Sequence, residues 1–194
     1  MSTFIPVLRR GTVAVVAVVA VAAAAFLCPA AYAFDVTSAD LRDHGTLSAR
    51  QVLNGFGCTG GDTSPQLAWS DPPAGTQSFA VTIYDPDAPT GSGWWHWVVH
   101  DIPADVRSLP AGAGAGKGGT LPPGARHGRN DFGTFAFGGA CPPAGDKPHR
   151  YVVTVTALKV AHLPLPAEPS GAMVGFMVNA NRLGSATLTV TYGR

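Results

Sequence analysis

The stretch Ser78-Phe79-Ala80-Val81-Thr82-Ile83-Tyr84-Asp85-Pro86-Asp87-Ala88-Pro89 reads as a strand driven into a stiff corner. Phe79, Val81 and Ile83 fall on every second position, so an extended backbone puts them on one apolar face. Pro86 and Pro89 then fix φ and remove two backbone donors, which ends the strand. Asp85 projects from the strand end and Asp87 from the turn itself. On its own an Asp-Pro-Asp corner is a solvated turn, because short carboxylates bond the local backbone.

Other strands follow the same pattern. Trp95 to Ile102 is aromatic and β-branched, bounded by Gly93 and Pro103. Tyr151 to Leu158 is a third strand. Ala186 to Tyr192 is a fourth, whose Thr187, Thr189 and Thr191 mark the wetter face. One helix is expected, capped by Ser170, with Met173, Phe176, Met177, Ala180 and Leu183 as a core-packing stripe and Gly184 as its stop. Short strands with many turns predict a mainly β fold, an antiparallel sandwich. The run Ala111 to Thr120 is Gly- and Ala-rich and is expected to be a mobile loop. Its Gly116-Lys117 pair lacks the spacing and following helix of a phosphate loop.

Arg9 and Arg10, the uncharged run from Thr12 to Leu27, and Ala31-Tyr32-Ala33 have the order of a secretory signal peptide over residues 1–33. The run falls short of the about 20 apolar residues that span a bilayer, so no stable membrane insertion is expected. The arginine pair admits either the general or the twin-arginine export route. Cys28 follows bulky Leu27, which disfavours lipid attachment. The remaining residues, 34–194, suit one domain that is exported, periplasmic or secreted. Cleavage would leave it within about one charge of neutrality, and no basic stripe suggests a nucleic-acid partner. Cys58 and Cys141 then remain, and an oxidising compartment favours a bridge between them over a reactive thiol.

Two further segments answer the acidic corner: Trp95-His96-Trp97-Val98-Val99-His100-Asp101-Ile102-Pro103, and Gly139-Ala140-Cys141-Pro142-Pro143-Ala144-Gly145-Asp146-Lys147-Pro148-His149-Arg150-Tyr151. Strand periodicity puts His96 and His100 on one face, and His149 and Tyr151 on one face. Imidazoles and a phenol can donate to phosphate oxygens. His44, His127 and His162 are read as structural, with His100 open.

Together these segments resemble the phosphatidylethanolamine-binding protein family, in its bacterial, Raf kinase inhibitor-like branch. Asn54 to Trp69 looks like its N-terminal signature, and Asn130-Asp131-Phe132-Gly133 like the segment before its Pro-Pro loop. The resemblance implies a β-sandwich with a few peripheral helices and a small pocket for phosphate-like groups. It places Asp85, Pro89, His96, His149, Tyr151 and the loop Gly139, Ala140, Cys141, Pro142 and Pro143 at that pocket, with Asp87 and Arg150 supporting. It puts both Cys58 and Cys141 near the pocket mouth. Four positions depart from the pattern. Asp62 stands for a usual Asn, which makes that side chain acceptor-only; Ala140 stands for Pro and Phe137 for Tyr, which implies a looser and less polar loop; and Phe176 stands for a His common in bacterial relatives.

The function expected is therefore non-enzymatic binding of a small phosphate-bearing or anionic ligand, without cofactor. The resemblance adds inhibition of a partner enzyme, kinase- or protease-like. The rival is a metal-dependent hydrolase built on Asp85, Asp87, His96 and His149, although no HExxH spacing or Gly-x-Ser-x-Gly elbow occurs.

Overall fold

A computed structural model describes residues 1–3 and 33–194; the expected signal peptide lies almost wholly outside the described residues. Residues 33–194 form one compact unit. Its strands in chain order are β1 (Asp35–Thr37), β2 (Asn54–Gly55), β3 (Cys58–Thr59), β4 (Leu67–Ser70), β5 (Ser78–Asp85), β6 (Trp94–Pro103), β7 (Ser108–Leu109), β8 (Arg126–His127), β9 (His149–Leu158) and β10 (Arg182–Tyr192). The helix α1 spans Gly171–Asn181.

A five-stranded antiparallel sheet in the order β10-β9-β5-β6-β8 faces a three-stranded sheet in the order β1-β4-β7. Phe79, Val81 and Ile83 of β5 enter the shared core with Trp97 and Val99 of β6, Val153 and Val155 of β9, and Leu188 of β10. Val36, Leu67, Trp69 and Leu109 close it from the smaller sheet. The alternation read from the sequence is thus the interleaving of two sheets. On β10 the Thr side chains turn outward while Ala186, Leu188 and Val190 are buried.

The other face of the large sheet carries a smaller cluster of Ala80, Val98, Leu158, Leu163, Val174 and Val178. Here α1 corrects the sequence reading. Ser170 does cap it, its hydroxyl accepting from the Met173 amide. The buried face, however, is Gly171, Val174 and Val178, and Met173 and Phe176 lie exposed. The helix holds no charged residue, so apolar periodicity has no polar face to be measured against. Glycine decides instead. A Cβ at Gly171 would sit 2.7 Å from the Trp95 ring, so only glycine lets the helix lie on that indole. The helix ends at Asn181, and Arg182 already begins β10, so Gly184 is a strand residue and not the stop.

The Gly/Ala run is not a free loop along its whole length. Ala113 is fully buried, and the Gly112 and Gly114 amides donate to the Ser64 carbonyl and hydroxyl. Packing of small residues against Trp97 and Phe137 accounts for the composition.

Candidate functional site

At one end of the large sheet, a cleft of about 290 Å³ opens where β5, β6 and β9 terminate. The Pro-stiffened corner supplies Asp85, Ala88, Pro89 and Thr90. Strand β6 supplies Trp94 and His96, and β9 supplies His149 and Tyr151. The loop before β9 adds Cys141, Pro142 and Pro143.

Asp85 is buried and its oxygens are fully engaged. Oδ1 accepts from the amides of Asp87 (2.8 Å) and Ala88 (3.0 Å), which folds the corner. Oδ2 accepts from His149 Nδ1 at 2.8 Å. The carboxylate therefore builds the turn and aims the imidazole, leaving His149 Nε2 as the nitrogen free to meet anything else. Asp146 Oδ2 lies 3.5 Å from that Nε2.

His96 owes its position to a β-bulge. Ile83 pairs with Trp97 while the next residue, Tyr84, pairs with Trp95, so His96 is the extra residue. The bulge turns its side chain toward Tyr151, ring centroids 5.1 Å apart. Val98 faces the opposite cluster, so the simple alternation that put His96 and His100 on one face fails here. His96 Nδ1 donates to the Gly138 carbonyl at 2.8 Å, and the Gly138 amide returns a bond to the His96 carbonyl. Burial lowers the pKa of His96, opposed by the Gly138 carbonyl and by the Asp85 charge. A neutral ring with its proton on Nδ1 offers Nε2 as an acceptor. His96 is thus not an anion donor in this state, contrary to the sequence expectation.

Tyr151 stands beside it. Its hydroxyl is buried and has no hydrogen-bond partner. Burial, with Asp85 nearby, raises its pKa, so it stays a neutral phenol with a proton to give. The indole N–H of Trp94 is likewise buried and unpartnered.

Gly139 and Ala140, expected at the pocket, are not on its wall. They are the anchor of the loop. The Gly139 amide donates to Asp62 Oδ1 (2.7 Å), and a Cβ at Gly139 would meet the Leu53 amide nitrogen at 2.4 Å. The Ala140 amide donates to the Gln51 carbonyl, and the Leu53 amide to the Ala140 carbonyl. An alanine where the family pattern has proline restores an N–H, and that N–H is used. Asp62, which replaces an amide, needs only its acceptor. These departures tie the loop down by backbone bonds, against the expected loosening. Phe137 is buried against Trp97, and Phe176 lies exposed on α1, outside the cleft's lining.

Asp87 and Arg150 join the corner to the start of β9. Asp87 accepts the Arg150 amide (2.9 Å), Nε (2.8 Å) and Nη2 (2.9 Å), a bidentate pair that holds the carboxyl well below its usual pKa. Cys58 and Cys141 form a disulfide across 83 residues, tying the β2–β3 hairpin to the loop. Among the described residues no three His, Cys, Asp or Glu side chains converge to hold a metal ion. His44 is exposed, with Nε2 3.4 Å from the carboxylate of Asp43.

Six wall residues were not expected: Ala88, Thr90 and Trp94, named above, and Phe56, Phe132 and Arg194. Phe56, at the hairpin tip, stacks on Phe132 (6.0 Å between centroids), and Phe132 meets Trp94 edge-on. Both phenylalanines lie inside the signature segments and could have been nominated from them. Arg194 gave no local signal. Its Nε donates to the Pro142 carbonyl (2.7 Å) and Nη1 to the Gly57 carbonyl (3.1 Å), so it joins the two rims that the disulfide also joins. Only the folded chain brings residue 194 beside residues 57 and 142.

A model of the family described as phosphatidylethanolamine-binding protein matches residues 37–193. YbcL of Escherichia coli is 57% identical over 162 residues, 84% of this chain and 88% of its own. YbhB of the same organism is 52% identical over 155 residues, 80% of this chain and 97% of its own. The crystal structure of E. coli YbcL matches with a TM-score of 0.81 at 56% identity, covering 83% of this chain and 98% of that one. LppC of Mycobacterium tuberculosis, which is named as a lipoprotein, is 34% identical over 137 residues, 71% of this chain and 63% of its own.

Proposed function

The chain belongs to the phosphatidylethanolamine-binding protein family, and from that membership we propose that it is an exported, non-enzymatic protein that holds a small phosphate-like or anionic group in the cleft. The observation that carries this reading is the Tyr151 hydroxyl, a buried donor with no partner at the wall of a ligand-sized space. A buried polar group left unpaired costs about 1–3 kcal/mol, so an acceptor arriving there recovers that free energy. The Trp94 indole N–H adds a second such donor and Arg194 the positive charge at the rim; because His149 Nδ1 keeps its proton toward Asp85, Nε2 becomes a third donor only in the protonated ring. Asp85 already has its donors, so its role is to orient His149.

Calorimetric titration with inorganic phosphate and methyl phosphate tests the reading. Binding to the wild type should weaken in Tyr151→Phe and more strongly in His149→Ala. Equal affinity in all three would place the ligand elsewhere.

Export is supported by the basic start, apolar run and Ala31-Tyr32-Ala33, and by the lipoprotein name of the mycobacterial relative. Among the described residues no helix is long and apolar enough to cross a membrane. The mature chain should begin at Phe34. Mass spectrometry finding an intact Met1, or lipid on Cys28, would refute this. Any inhibition of a partner enzyme would then concern periplasmic or host enzymes of the kinase or protease type, since an exported protein does not meet its own cell's cytosolic kinases.

A further inference from the structure

His149 stands between two carboxylates that are not alike. Asp85 is 4% exposed at its side chain and takes three hydrogen bonds. Asp146 is 42% exposed, and its Oδ2 sits 3.5 Å from Nε2, over the one ring nitrogen that Asp85 does not use. Nδ1 keeps a proton toward Asp85, so Nε2 carries one only in the imidazolium, and a ligand oxygen that accepts from it must then share that nitrogen with Asp146 or push the carboxylate aside.

The other charges of the cleft are few. The Arg150 guanidinium is committed to Asp87. His96 is held neutral by burial. Lys147 adds positive potential near Asp87. Arg194 is the cation of the lining, bonded to carbonyls and, among the described residues, to no carboxylate. An entering anion therefore meets the Arg194 guanidinium and the His149 imidazole, with Lys147 nearby, against Asp85 on the wall and Asp146 and Asp131 beside it.

The geometry points to Asp146 as a charge filter, a specificity-determining residue that sets the cleft for ligands with a single negative charge and against dianions. This rests on the anion-binding reading above. The repulsion from Asp146 scales with ligand charge, so a phosphodiester or a carboxylate is the favoured class and a phosphomonoester dianion the disfavoured one.

The test compares methyl phosphate with dimethyl phosphate by calorimetry at low salt and about pH 7, where a monoester is mostly a dianion because its second pKa is about 6. Asp146→Asn should tighten methyl phosphate about three- to tenfold and dimethyl phosphate by a smaller factor. The gain should shrink at about 0.5 M salt, because the carboxylate is partly exposed and screened. Asp146→Ala should act in the same direction, which guards against an effect of the amide itself. Methyl phosphate affinity that is unchanged or weaker in both variants would overturn the filter while leaving the anion site standing. Failure of either ligand to bind the wild type or the variants would remove the anion-binding reading, and the filter with it.

Discussion

Two buried His–Asp pairs lie at opposite ends of the large sheet, and only one adjoins the cleft. At the β5 end, His149 and Asp85 come from different strands and meet at 2.8 Å. At the other end, His100 and Asp101 are neighbours on β6, with Nδ1 and Oδ1 3.2 Å apart. Asp101 adopts a left-handed φ of 57°, accepts the Leu163 amide, and has His162 3.6 Å away. It fastens the segment after β9 to the sheet. None of His100, Asp101, His127 or His162 lines the cleft. Residue types are thus the same at both ends, although His149 is hydrogen-bonded to Asp85 while both ring nitrogens of His100 lack a hydrogen-bond partner. What differs is that a proline corner, a bulge and a cross-linked loop border a cleft beside one pair, while the other lies buried away from it.

If that holds, cutting the cross-link should be the largest single perturbation, and it should act at the cleft end. In the chain-entropy model, a loop closed across 83 residues is worth roughly 4 kcal/mol of stability. Reduction should lower the urea midpoint accordingly and weaken methyl phosphate binding, because Cys141 lies on the cleft wall. Reduced protein with unchanged stability and affinity would show that Arg194 and the backbone bonds of Gly139 and Ala140 suffice.

The paired histidine variants sharpen the contrast next. Charge-assisted hydrogen bonds are worth about 1.5–3 kcal/mol, so His149→Ala should weaken phosphate binding roughly ten- to a hundredfold. His100→Ala should leave affinity within about twofold while costing about 1–3 kcal/mol of stability, as a buried truncation does. Affinity loss in His100→Ala comparable to that in His149→Ala would erase the distinction between the two ends. A smaller effect is expected for Tyr151→Phe, where one neutral hydrogen bond is worth about 0.5–1.5 kcal/mol, or about two- to tenfold in affinity.

The long strands of the large sheet were legible because alternation is a strong signal where one face is buried, as Phe79, Val81 and Ile83 illustrate. So was most of the cleft, since Asp85, Pro89, His96, Cys141, Pro142, Pro143, His149 and Tyr151 all line it. What sequence could not give was direction. The helix face depends on Trp95 lying against Gly171, and the orientation of His96 on an extra residue in β6. Gly139 and Ala140 sit within the right motif but spend their amides on Asp62 and Gln51. Arg194 reaches the cleft through a contact some fifty residues distant in sequence from Pro142. Each miss is a tertiary contact overriding a local rule.

The weakest lever is pH, and it reads both ends at once. Burial lowers the pKa of His96 at the cleft, and burial with the neighbouring His100 lowers that of His127 on β8. Both rings take up protons less readily in the folded chain than in the unfolded one, where they do so at about pH 6.5. Below that point the unfolded state binds more protons than the folded one, so stability falls as pH falls and is flat above it. Asp87 and Asp101, whose pKa values are lowered, contribute above the unfolded value of about 3.9 and lose that contribution only in stronger acid. The decline between neutral pH and about pH 5 is therefore assigned to histidines. Urea unfolding at about pH 7.5, 6.5 and 5.5 should show the midpoint dropping slightly in the first interval and mostly in the last. His127→Gln should remove part of that drop and leave phosphate affinity alone. A midpoint that rises on acidification would contradict buried neutral rings at either end. If His127→Gln abolished the whole drop, the acid sensitivity would belong to the packed end, and His96 would gain its proton without cost when the cleft is open to water.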